Sequence, residues 1–187
     1  MGASEKIHQL KLILGDQFTL APKESWKAPH VASGVPKGAL VELIGTAKVE
    51  WLLTFLQAHP EAQVFWYEKK QKILPTAFVQ RGVALERVTF ALLEKDLMTS
   101  LRRVIQSQIF DVIVGPNEFH EIKTYKALQL LSEKANSTFF LLGGERPSQA
   151  WPISMQLQIQ RHHEKSGGLS YHHFSVEVLK QKQGVFL

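Results

Sequence analysis

The chain predicts an α/β fold: a mostly parallel, twisted sheet flanked by helices and extended by a C-terminal antiparallel β-hairpin. Two observations predict it. Between Ala39 and Leu142, short apolar runs alternate with amphipathic helical stretches, which is how a parallel sheet covered on both faces reads. At Met155–Arg161 (MQLQIQR) the pattern changes to strict apolar–polar alternation, the signature of a half-buried strand. The 187 residues suit one ordinary domain with a sizeable core.

Each element has its own justification. Ile7, Leu10, Ile13 and Leu14 fall near one helical face, and Leu12-Ile13-Leu14 would equally suit an extended arm. Pro22, Lys23, Ser25, Pro29 and Ser33 mark a loop, so 1–33 is expected to be an N-terminal arm and 34–187 the core. Ala39–Ile44 is the first buried strand. Glu50–His59 places Trp51, Leu52, Phe55 and Leu56 on one helical face, and Pro60 helps to end it. Ala62–Tyr67 is the second strand. Pro75–Gly82 is a helix, with Pro in its first turn and Gly near its end. Arg87–Leu92 is the third strand. Asp96 is the expected cap of a helix reaching about Gln108, with Leu97, Leu101, Val104 and Ile105 inward. Val112–Val114, the helix Tyr125–Ala135 and Thr138–Leu142 complete the alternation, which Gly143-Gly144 stops. Ser166-Gly167-Gly168 then turns the chain into a returning strand, Tyr171–Lys180, with Phe174, Val176 and Val178 on one face.

Hydrophobic residues make up 44% and charged residues 21%, a globular balance rather than a disordered one. The lack of cysteine excludes disulfides and cysteine-based zinc sites and is compatible with a reducing compartment. The N-terminus has no apolar signal core, and no apolar run reaches membrane-spanning length. A soluble cytoplasmic protein with no membrane role is therefore expected. The net charge of +5 and pI near 9.4 favour nucleic acid or an acidic protein surface as partner.

The segment Gly34–Gly45 (GVPKGALVELIG) has the layout of a turn, a buried strand and a glycine opening a helix. A phosphate-binding loop needs G-x-x-x-x-G-K-[ST], whose backbone N–H groups, Lys and hydroxyl hold phosphates and magnesium. Here Gly45 is followed by Thr46-Ala47-Lys48-Val49-Glu50. The second glycine and the Lys-Ser/Thr pair are missing, and an acid stands near the helix start. Gly45, Thr46 and Lys48 are thus a vestige of a nucleotide loop.

From about Gly34 to Phe186, the order and phrasing of these segments resemble the RecA ATPase core. GVPKGALVELIG is similar to its first core strand, and VFWYEKKQKILPTAFVQRGVALERV to its second strand, helix and following step. SLRRVIQSQIFDVIVG is similar to the helix and strand carrying the Walker B position, and LQIQRH with HFSVEVLKQKQG to the late hairpin. Against that pattern the Walker A residues are absent, Val114 is followed by Gly115 instead of Asp, and Lys70 aligns with the catalytic Glu, with Glu68 nearby. The two DNA-binding loops are cut down to Pro116–Thr124 and Gly143–Ile153. Phosphoryl transfer depends on those positioned charges, so neither catalysis nor a cofactor is expected.

ELIG, LPTAFVQRGV and the helix L-x-x-x-L-R-R-V-I-x-S are also similar to two shortened RecA relatives that lack the ATPase motifs, the SOS mutagenesis protein ImuA and the cell-division inhibitor SulA. The full terminal hairpin favours ImuA. That resemblance implies a non-catalytic adaptor in the bacterial DNA-damage (SOS) response, supporting translesion synthesis by binding RecA and a polymerase-like partner. The alternatives are a SulA-like inhibitor binding FtsZ and a residual nucleotide- or DNA-binding protein.

Candidate partner-binding residues are Trp26, in a loop-like context, and the cluster Lys69, Lys70 and Lys72. Trp supplies large interface contacts, whereas packing on the core edge is its commoner use; for the lysines the alternative is a solvated loop. Arg102 and Arg103 follow each other on a helix and are expected to face solvent. His162-His163 and His172-His173 flank the glycine turn. Each hairpin face would carry two imidazoles, fewer than zinc requires, so no metal site is expected. Trp66-Tyr67, at a strand end, is expected to fill the former nucleotide cleft with aromatic bulk. No Ser-His-Asp order or nucleophile elbow is present.

Overall fold

Residues 24–166 and 169–182 are described in the computed structural model. The segment with Ile7, Leu10, Ile13 and Leu14, and the turn glycines 167–168, lie outside them. Among the described residues no helix is long and apolar enough to cross a membrane.

The chain opens with a two-stranded antiparallel hairpin, β1 (Ser25–Ala28) and β2 (Val31–Pro36). This corrects the loop expected around Ser25, Pro29 and Ser33. Val31 and Val35 are buried while Ala32 and Ser33 are exposed, so packing overrides the turn-forming composition. β2 runs through the 33/34 position expected to divide arm from core.

The main sheet follows: β3 (Leu40–Ile44), β4 (Val64–Glu68), β5 (Val88–Leu92), β6 (Val112–Pro116), β7 (Thr138–Leu142), β8 (Met155–Ser166) and β9 (Leu169–Gln181). Its order is β5-β4-β6-β7-β3-β8-β9. All neighbours are parallel except β8 with β9. The mostly parallel sheet with a terminal antiparallel hairpin is thus as expected. The helices are α1 (Lys48–Ala58), α2 (Pro75–Gln80), α3 (Leu97–Gln106) and α4 (Ile122–Ala135), with a short 3-10 turn at Leu85–Arg87. α1 starts two residues earlier than its apolar face announced, and α4 three.

Successive strand residues feed opposite cores. Val41, Trp66, Val114 and Phe140 meet Trp51 and Phe55 of α1, Phe78 of α2, and Trp26 and Val35 of the hairpin. Leu40, Phe65, Tyr67, Ile113 and Phe139 meet Leu101 of α3 and Leu128 of α4. Burial on both sides explains why these strands read as unbroken apolar runs.

Asp96 occupies the N-cap position of α3 but makes no side-chain cap bond. Its φ of 51° is left-handed, whereas a capping side chain works from extended backbone. Gly82, by contrast, takes the left-handed conformation after α2 that its place in the sequence announced.

Candidate functional site

The carboxyl ends of β4, β6 and β7 and the start of α1 converge on one cleft of about 650 Å3, the usual ligand position in an open α/β sheet. Lys48 comes from the start of α1. Glu68, Lys69, Lys70 and Lys72 come from the end of β4 and the loop after it, Glu118 from beyond β6, and Gly143 from beyond β7. The sequence candidates Lys48, Lys69, Lys70 and Lys72 are therefore gathered around one mouth.

The β3–α1 connection is only Gly45-Thr46-Ala47, and it folds against β8. Ala47 N–H donates to the Ile159 carbonyl at 3.2 Å, and Arg161 N–H donates to Thr46 Oγ1 at 3.0 Å. Gly45 has φ +95°, and a β-carbon there would stand 2.3 Å from the Ile159 oxygen. Only glycine allows this approach. In the first turn of α1, Glu50 accepts from Arg81 at 2.7 Å and Arg161 at 3.0 Å. The Arg81 bond, foremost, and Arg161 hold its carboxyl below the ordinary glutamate range. The Ala47 N–H is thus committed to the neighbouring strand β8.

Near the end of β6, Gly115 is covered by the Tyr67 ring. Tyr67 is fully buried and its hydroxyl has no partner among the described residues. Burial pushes its ionisation far above the normal tyrosine range. Trp66 is buried on the opposite core, its Nε1 3.4 Å from Glu68 Oε1. Trp66 and Tyr67 do line the cleft, but the expectation that they fill it is corrected, because the space above them stays open. Strand alternation sends the two rings to opposite faces, so neither rises into the cleft.

The rim carboxylates are engaged. Glu68 accepts from the backbone N–H groups of Lys72 (2.6 Å) and Ile73 (3.3 Å), which turns the chain after β4. Glu118 pairs with Lys69. Lys48 is partly buried, and that burial pulls its ammonium pKa down.

Trp26 packs in the core, 6% exposed, the commoner of the two uses weighed for it. Its Nε1 donates to Thr138 Oγ1 at 3.0 Å, and its ring meets Phe55 and His59 edge-on. Arg102 and Arg103 face solvent. The hairpin register pairs His162 with His173 and His163 with His172. The rings of His162 and His173 are 5.2 Å apart, and His162 Nε2 lies 2.7 Å from Ser175 Oγ. Among the described residues no group of three or more potential metal ligands occurs.

One cluster escaped sequence reasoning. Glu42, in the middle of β3, is 1% exposed. It accepts from Asn117 Nδ2 (2.5 Å), Ser148 N–H (2.9 Å) and Gln156 Nε2 (2.7 Å). Asn117 Oδ1 lies 2.6 Å from the Tyr125 hydroxyl. The network ties together the two shortened loops. An acid inside an apolar strand (LVELI) was its only sequence signal.

No family model matches the chain, and no curated protein matches it in sequence. Among solved structures it is similar to the flagellar accessory protein FlaH from Methanocaldococcus jannaschii. The TM-score is 0.54 at 11% identity, covering 81% of this chain and 82% of that one. At that identity the likeness concerns the fold, which is RecA-like.

Proposed function

We propose that this chain is a non-catalytic RecA-like adaptor that acts in the cytoplasm by docking onto other proteins. Its partners in this reading are RecA and a polymerase-like mutagenesis protein of the DNA-damage response, as its resemblance to ImuA implies. The observation that carries the reading is the three-residue β3–α1 connection: Gly45 and Ala47 are closed onto the Ile159 carbonyl, and Glu50 is locked by two arginines. Phosphoryl transfer needs a cradle and positioned charge at that point. Gly115 under Tyr67 adds a second lost position. Docking is supported by the exposed apolar side chains Leu74, Val79, Phe90 and Leu92 on α2, its approach and the edge strand β5, since an uncovered sheet edge with apolar side chains is a pairing surface.

The test is co-sedimentation with RecA filaments in the presence and absence of ATP, alongside an ATPase assay. Nucleotide-independent association without turnover is expected. ATP turnover that disappears in Lys48→Ala would overturn the reading.

A second reading, direct contact with single-stranded DNA, has one specific observation behind it. Trp151 is 51% exposed, with Lys182 Nζ 5.1 Å and Lys126 Nζ 6.0 Å from its ring. An exposed aromatic among cations suits base stacking. Binding to oligo-dT that weakens steeply with salt and is lost in Trp151→Ala would favour it.

A further inference from the structure

The cleft at the strand ends has kept its space and its cations while losing the means to grip phosphate. Lys69 is neutralised by Glu118, but Lys48, Lys70 and Lys72 have no ion-pair partner among the described residues. All three line the cleft. Glu68 is held by backbone N–H groups, and Glu145 acts on Lys48 through space without contacting it. Between the lysines the wall is apolar, from Val49, Ile73 and Leu142. A second hollow of about 170 Å3 shares Trp66, Glu68 and Ile73 with the first and runs on to Phe90 and Leu92 of β5. The two hollows therefore adjoin at Trp66, Glu68 and Ile73, with three ammonium groups that lack an ion-pair partner around one and an exposed apolar edge at the other.

The arrangement distinguishes among anions. A compact polyphosphate is held by converging backbone N–H groups and forked or bidentate donors. Here the Gly45 loop is closed, and the free cations are single-point lysines on flexible stems, spaced around a mouth. That geometry matches carboxylates spread along an extended chain. We propose that these adjoining hollows dock an acidic segment of a partner protein, its carboxylates meeting Lys48, Lys70 and Lys72 and a neighbouring apolar side chain lying toward Phe90 and Leu92. The inference rests on the docking reading above and names the surface and the partner chemistry. Burial, foremost, lowers the affinity of Lys48 for its proton, with Lys72 adding to the effect and Glu145 opposing it.

The probe is a fluorescein-labelled peptide of six glutamates followed by Leu-Phe, read by fluorescence anisotropy. Saturable binding is expected, weakened about tenfold when the glutamates become glutamines and about tenfold in Lys48→Ala/Lys70→Ala/Lys72→Ala, as three partly exposed charge contacts would give. The Arg102→Ala/Arg103→Ala protein, altered on α3 away from the cleft, should bind like the parent. Thermal melting checks that the triple variant is folded; if it is not, Lys70→Glu, at an exposed position, carries the test alone. No binding of the peptide, an equal loss in the Arg102/Arg103 variant, or displacement by tripolyphosphate at far lower concentration than by unlabelled peptide would each overturn the proposal. RecA co-sedimentation that survives in the triple variant alongside lost peptide binding would place the RecA contact elsewhere, and would thus sink this surface as the RecA site while leaving the adaptor reading standing.

Discussion

The ring of Tyr67 covers the α-carbon of Gly115, so closely that a β-carbon at 115 would lie 1.9 Å from Tyr67 Cε1 and 2.1 Å from Cζ. The two residues come from adjacent parallel strands, β4 and β6. Glycine here makes room for a buried aromatic.

Gly115→Ala should therefore destabilise the protein by about 2 kcal/mol through overpacking. Tyr67→Leu in the same chain should recover part of that loss, because the two positions are in contact and couple. Urea denaturation of the two single variants and the double variant measures the coupling. Simple additivity would contradict the contact.

Glu50 predicts an acid-sensitive junction between α1, α2 and β8. Its carboxyl pKa is depressed in the folded state by Arg81 first, with Arg161 adding to it. A depressed carboxyl adds stability above its unfolded pKa and loses it as pH falls through the folded one. Glu50→Gln should thus cost about 1 kcal/mol near neutrality. The difference from the parent should close as pH drops below the ordinary glutamate value. Chemical denaturation at a series of pH values follows it, and a gap that widens in acid would be the wrong sign.

Glu42 should be among the most sensitive polar positions. Glu42→Leu strands the donors of Asn117, Ser148 and Gln156, at a cost of about 3 kcal/mol. The loop between β7 and β8 loses its tether to Ser148, so limited proteolysis should cut there earlier than in the parent. Unchanged melting and unchanged cleavage would show the network to be dispensable.

Trp26→Ala should cost about 3–5 kcal/mol as a core truncation. Trp26→Phe should cost about 1 kcal/mol for the lost bond to Thr138. A surface anchor would behave oppositely, weakening partner binding with little change in the melting temperature.

The sequence by itself determined the strands and helices of the main sheet, though not the β1–β2 hairpin. Apolar runs and helical spacing are local properties of the chain, so Thr138–Leu142 was placed at its observed bounds and Pro75 and Gly82 marked α2. The lack of a Gly-Lys-Thr run after Gly45 and the glycine at 115 were equally legible, because they are statements about residue identity. Only the tertiary structure decided what those residues do. That β4 lies beside β6 sets Tyr67 over Gly115; that β3 lies beside β8 closes Gly45 onto Ile159 and joins Glu42 to Gln156; that β1 and β2 pair buries Trp26. The lysines after β4 became a cleft wall for the same reason. Periodicity reports which face of an element is apolar, whereas the neighbour that face meets is fixed by contacts between segments far apart in the chain.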